Sequence, residues 1–199
     1  MSAKTPKPPG LLERCQRGEQ LAWRELFSKR AADIYRWAVL LGLDPSEAED
    51  AAQDVLVTAA RRIDRCEAEA ALTSWLYQIT RRIVANRRRG SWLRRWLPGR
   101  EVTDADALSE PAFEHDGSAA GIAFELDTRR CLQRMPDELA ELLVMVEIVG
   151  LTRDEAASVL GLPAGTVASR LRRAREQFRQ HWQHDDADVV LGKALREGS

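Results

Sequence analysis

The sequence predicts an all-α protein of two small helical domains joined by a flexible acidic linker, the C-terminal one containing a helix-turn-helix. Three observations carry this. Apolar residues recur at helical spacing from Leu11 to about Trp96, with no convincing alternating strand. An acidic stretch punctuated by Gly99, Pro111, Gly117 and Gly121 follows. Leu151 to Arg175 then reads as two helices around a Gly161-Leu-Pro163 turn. A chain of 199 residues is long enough for one or two domains, each with a modest core.

Taken in order, residues 1–10 are proline- and lysine-rich without a hydrophobic signal core, and read as a disordered N-terminus. Within a first domain at 11–97, Leu12, Cys15, Leu21, Leu26, Ile34, Trp37, Ala38 and Leu41 supply apolar positions for one or two helices. Gly42-Leu-Asp-Pro45 breaks the chain, and Asp44 caps a helix with Pro45 and Glu47 in its first turn. That helix puts Ala48, Ala52, Val55, Leu56, Ala59 and Ile63 on one side. Asp50, Asp54, Val57 and Arg61 lie on the other, with Gln53 on the flank. The next helix, starting near Ala71, buries Leu72, Leu76, Ile79 and Ile83. Its opposite side carries Tyr77, Arg81 and Arg88, with Gln78 nearby and Trp75 and Arg82 on a flank. Aromatics beside arginines suit single-stranded nucleic acid, the ring stacking on a base while guanidinium groups follow the phosphates.

The linker, 98–122, is acidic. Fully extended at about 3.3 to 3.6 Å per residue it reaches roughly 85 Å, enough for two domains to touch well-separated DNA sites. Its Asp104, Asp106, Glu110, Glu114 and Asp116 are candidates to cover a basic surface in the free protein. The second domain, 123–182, places Leu126, Cys131, Leu132 and Met135 in one helix, and Leu139 to Val149 lead to the helix-turn-helix. There Thr152 and Glu155 form a capping box and Gly161 is the stop. After Pro163, Val167, Leu171, Ala174 and Phe178 face inward, leaving Thr166, Ser169, Arg170, Arg172 and Arg173 for guanine edges and phosphates. The tail, 183–199, is mostly polar and is expected to fray.

A formal charge of -1 hides strong segregation, with Arg61, Arg65, Arg81, Arg82, Arg87, Arg88, Arg89, Arg94 and Arg95 crowding the middle. Cys15, Cys66 and Cys131 suggest neither a disulfide framework nor a metal spacing. His115, His181 and His184 accompany no catalytic pairing or phosphate loop. The expectation is a non-enzyme without cofactor or metal, soluble and cytoplasmic, with no membrane insertion.

Three segments in order carry a family resemblance: Glu47 to Arg61, Leu72 to Arg89, and Met135-Pro136 followed by the helix-turn-helix ending Thr166 to Arg175. Together they resemble the extracytoplasmic-function sigma factors of bacterial RNA polymerase, nearly chain-long from Leu11 to Trp182. The resemblance implies that the first domain docks on core RNA polymerase and captures and melts the minus-ten element, while the second reads the minus-thirty-five duplex. Asp50, Gln53 and Asp54 match the polymerase-binding motif. Trp75, Tyr77, Gln78, Arg81, Arg82, Asn86, Arg87 and Arg88 fall in the minus-ten segment, and Thr166, Ser169, Arg170, Arg172 and Arg173 match minus-thirty-five contacts. The pocket for a flipped base depends on the loop Asp64 to Ala71, which sequence alone does not fold. An anti-sigma factor is a further implied partner. This chain departs from the family pattern at Ala51, Asn86, Ala140 and Ala168, the last two each removing a possible phosphate contact. The rival reading, a stand-alone helix-turn-helix regulator of duplex operators, leaves the Asp50 to Asp54 face and the basic aromatic helix without a purpose.

Overall fold

The computed structural model describes residues 9–96 and 119–197, with side chains described for 9–89 and 124–183. Helices account for the regular structure, and no strand occurs among the described residues. A short helix α1, Leu11–Gln16, turns at Gly18 (φ 79°) into α2, Gln20–Leu40. Gly42, at φ 101°, then allows the reversal into α3, Pro45–Arg62, since that backbone region is strained for other residues. Asp44 accepts the Glu47 N–H at 2.8 Å, closing the N-terminus of α3 as its sequence forecasts.

The main packing of the first half is α2 on α3, with α4, Leu72–Trp96, laid across both. Ala48, Ala51, Ala52 and Ala59 of α3 are fully buried, and small side chains let the helix axes approach closely. A larger residue at Ala51 would have to displace α2 or α4.

The second half runs through α5, Ala119–Gln133, and α6, Asp137–Leu143, which continues as a π-helical turn, Val144–Ile148. The helix-turn-helix comprises α7, Arg153–Leu160, and α8, Ala164–Glu197. Its signals act as read. Thr152 Oγ1 accepts the Glu155 N–H at 3.2 Å, the Glu155 carboxylate accepts the Thr152 N–H at 2.8 Å, and Gly161 takes the left-handed conformation at φ 65°. Val167, Leu171 and Ala174 are buried, with Phe178 packed at their edge.

The two halves pack on one another. Leu132, Met135 and Leu142 join one hydrophobic cluster with Leu40, Tyr77 and Val84, and α2 touches both α5 and the π turn. Arg129 donates to the Leu43 carbonyl at 2.9 Å, and Arg36 Nε lies 2.9 Å from Glu125 Oε1.

Three sequence expectations change. Tyr77, expected on the outer side of α4, is fully buried and packs edge-on to Trp37, with ring centroids 5.7 Å apart. Alongside it Thr80 and Val84 are buried, because α4 is covered on a second side that a single amphipathic stripe does not anticipate. Leu21, expected in the core, is 71% exposed at the first turn of α2. The segment from Gln183, expected to fray, continues α8 as helix to Glu197, since extending an existing helix needs no new nucleus. Positions 98–118 of the acidic linker lie outside the described residues, as do the side chains of the arginines at 94 and 95; α5 begins at Ala119, before the boundary expected at 123.

Candidate nucleic-acid and polymerase interface

The acidic ridge on α3 exists because the opposite side of the helix is spent on the core. With Ala48, Ala52, Val55 and Ala59 turned inward, Asp50, Gln53 and Asp54 are left exposed, and Val57 stands beside them at 49% exposure. Two carboxylates one turn apart repel. Arg87 of α4 offsets this: its Nη2 lies 2.5 Å from Asp54 Oδ2 and its Nη1 3.8 Å from Asp50 Oδ2. A residue that the resemblance places among the minus-ten contacts is therefore bound to the acidic ridge of α3 instead.

The rest of the α4 set divides by environment. Trp75 is half-buried against the core, and Gln78, Arg82 and Asn86 are exposed. Asn86 accepts a hydrogen bond from Arg89 at 2.7 Å. Tyr77 is withdrawn from any surface, and its hydroxyl has no hydrogen-bond partner among the described residues. Burial pushes its phenol well above the ordinary tyrosine range, so it stays neutral.

Gln78, Arg81, Arg82, Arg88 and Arg89 line one wall of a cleft of about 660 Å³. The facing wall holds Asp137, Ala140 and Glu141 of α6. Arg81 grips Glu141 with both edges of its fork, Nε on one carboxylate oxygen and Nη2 3.3 Å from the other. Those hydrogen bonds hold the Arg81 guanidinium above its ordinary pKa. Farther along, Arg88 Nη2 is 3.0 Å from Asp137 Oδ2. Two of the four arginines on this wall of α4, Arg81 and Arg88, are thus paired with carboxylates of the same chain. The sequence offers such an acidic cover in the linker; Asp137 reads as an ordinary first-turn partner of its own helix dipole, and Glu141 carries no local signal because its partner Arg81 lies 60 positions away.

On α8, Arg172 and Arg173 are exposed with no ion-pair partner among the described residues. Ser169 is exposed and donates to the Thr166 carbonyl at 3.0 Å, while Thr166 is half-buried. Arg170 is pulled aside onto Glu138, 2.9 Å away. Two arginines therefore point outward from the front of the recognition helix, and a third is tethered. Among the described residues no three His, Cys, Asp or Glu side chains gather to hold a metal, and no helix is long and apolar enough to cross a membrane.

The family model for sigma-70 region 2 matches residues 26–96, and that for sigma-70 region 4 matches residues 125–178. The chain is 32% identical to the RNA polymerase sigma-H factor of Pseudomonas aeruginosa, over 94% of this chain and 95% of that protein. It is 30% identical to the ECF RNA polymerase sigma factor EcfG of Rhodopseudomonas palustris, over 71% of this chain and 75% of that one. Its fold is similar to the sigma factor RpoE of Bartonella quintana, solved with the anti-sigma factor NepR, at a TM-score of 0.60 and 23% identity, covering 80% of this chain and 95% of that chain.

The chain belongs to the sigma-70 family of RNA polymerase sigma factors, in its extracytoplasmic-function group. It is a promoter-directing initiation factor rather than a stand-alone regulator, and the family consists of DNA-binding initiation factors rather than enzymes.

Proposed function

We propose that α3 docks this chain on core RNA polymerase through Asp50, Gln53 and Asp54, that α4 captures and melts the minus-ten element, and that α8 reads the minus-thirty-five duplex. The observation that carries the reading is the pairing, on adjacent helices, of an exposed acidic ridge with a basic cleft wall. One suits a basic protein surface and the other a phosphate backbone. On α4 the working set is Trp75, Gln78, Arg81, Arg82, Asn86 and Arg88; Arg87 serves the ridge, and Tyr77 braces the helix against Trp37. On α8, Arg172 and Arg173 meet phosphates or base edges, joined by Ser169, Thr166 and, once freed from Glu138, Arg170.

In this reading the free chain is closed. Glu141 and Asp137 stand where promoter phosphates would lie, so engagement of the minus-ten strand requires α6 to leave α4. Polymerase supplies the difference by binding the two halves at separate places. The site of action is the cytoplasm, and an anti-sigma factor is a partner; support for the latter is the fold likeness to a sigma factor solved with one. Co-purification tests the reading. The full chain should bring down core polymerase, and Asp54→Arg should abolish this while leaving helical content unchanged; equal recovery by both proteins would refute the docking assignment.

A further inference from the structure

The stretch between α3 and α4 has no ladder of its own, yet it is held in place. It consists of two single 3-10 turns, Ile63–Arg65 and Glu69–Ala71, with Cys66 buried between them at 2% exposure. Helix α1, more than forty residues earlier, supplies the restraint. Gln16 Nε2 donates to the carbonyl oxygens of Cys66, at 2.9 Å, and Ile63, at 3.3 Å. In return Glu69 Oε2 accepts the Leu12 N–H at 2.7 Å, satisfying one of the free amides at the start of α1. Gly10 lies so close that a Cβ there would sit 2.8 Å from the same oxygen.

Six residues are too few for a helix to persist alone, so α1 depends on these contacts and on Arg14, which bridges Glu19 and Glu25 of the α2 region. The second turn runs directly into α4 at Leu72, one turn before Trp75 and two before Gln78. Whatever strand lies along the N-terminal end of α4 therefore meets this stretch. A base taken out of its stack needs a pocket of settled shape, because each rearrangement of the pocket weakens discrimination between bases.

We propose that α1 is a brace for the promoter-facing loop, with Gln16 and Glu69 as positioning residues that set minus-ten base selectivity without touching DNA. The proposal rests on the sigma-factor reading above. The assay uses the full chain with core polymerase and a pool of fork-junction templates whose single-stranded minus-ten segment is randomised; bound templates are sequenced.

For the wild type, the ratio of most to least enriched base at the strongest position measures selectivity. Gln16→Ala should lower that ratio about fivefold, the equivalent of one lost hydrogen bond's worth of about 1 kcal/mol. Core binding should stay as in the wild type. Glu69→Ala should act similarly, and Glu69→Gln, which keeps an oxygen for the Leu12 N–H, should restore most of the ratio. Unchanged selectivity in Gln16→Ala would overturn the brace even if Glu69→Ala proved too unstable to assay. A Glu69→Gln variant as impaired as Glu69→Ala would also overturn it, by assigning the effect to charge. Failure of the wild type to bind core polymerase would instead defeat the underlying reading, and the brace with it.

Discussion

Neutralising the two carboxylates that cover α4 should turn the free chain into a better DNA binder. The perturbation is Asp137→Asn with Glu141→Gln, nearly isosteric changes that remove charge and leave the packing of α6 intact. The Arg81–Glu141 pair is a two-point fork with side chains 39% and 21% exposed, so its charged hydrogen bonds contribute about 1.5 kcal/mol after allowance for screening. Arg88–Asp137, at 47% and 78% exposed, adds about 0.5 kcal/mol. The sum of about 2 kcal/mol is roughly a thirtyfold change in the ratio of open to closed chain, which is the ceiling on the gain in apparent affinity. The assay is fluorescence anisotropy of a labelled single strand with free protein across a salt series. The double variant should bind up to about thirtyfold more tightly at low salt and lose affinity more steeply as salt rises, since more arginines now release counterions. A control carrying Glu13→Gln and Asp154→Asn, exposed carboxylates outside the cleft, has the same net charge. An equal gain in the control, or none in the variant, would refute the closed-state argument.

Three further outcomes follow from the same geometry. Arg87→Ala and Asp54→Ala should each weaken core polymerase binding, and the double variant should lose less than the sum because the two residues share one contact; strict additivity measured by titration would dissociate Arg87 from the ridge. Ala168→Lys on the partly exposed side of α8 should raise minus-thirty-five duplex affinity severalfold at low salt and steepen the salt slope by about one, and an unchanged slope would show that no phosphate lies within reach. Burial pushes the Cys15 and Cys66 thiols above their ordinary pKa, so thiolate is scarce near neutrality; native labelling should be slow up to about pH 8 and become fast on denaturation, whereas rapid native labelling would contradict their placement.

Local chemistry was legible in the sequence because it is written in neighbouring residues. Asp44 before Pro45 and Glu47, and Thr152 before Glu155 with Gly161 beyond, announce helix ends whose partners lie within one turn. The Ala48-to-Ala59 stripe likewise needs only a helical period to be read, and it leaves Asp50, Gln53 and Asp54 outside. What escaped depends on residues distant in sequence. Tyr77 is buried because α4 has two covered sides, and a single stripe of Leu72, Leu76, Ile79 and Ile83 encodes one. Arg87 reads as one more arginine in a basic run until the fold puts it 33 positions from home against Asp54. Gln16 and Glu69 carry no motif at all, since a side-chain amide reaching two carbonyls across the fold has no fixed spacing.

The central claim, a two-site promoter clamp that works only with polymerase, is tested most directly by reconstituted transcription with mapped start sites. Core polymerase plus the wild-type chain should initiate at a defined set of promoters. Asp54→Arg should lose all of them through failure to bind core, whereas Arg172→Ala with Arg173→Ala should bind core normally and lose mainly those starts that depend on the upstream duplex element. Binding of the chain alone to a duplex operator, with no start sites added to core polymerase, would contradict the account.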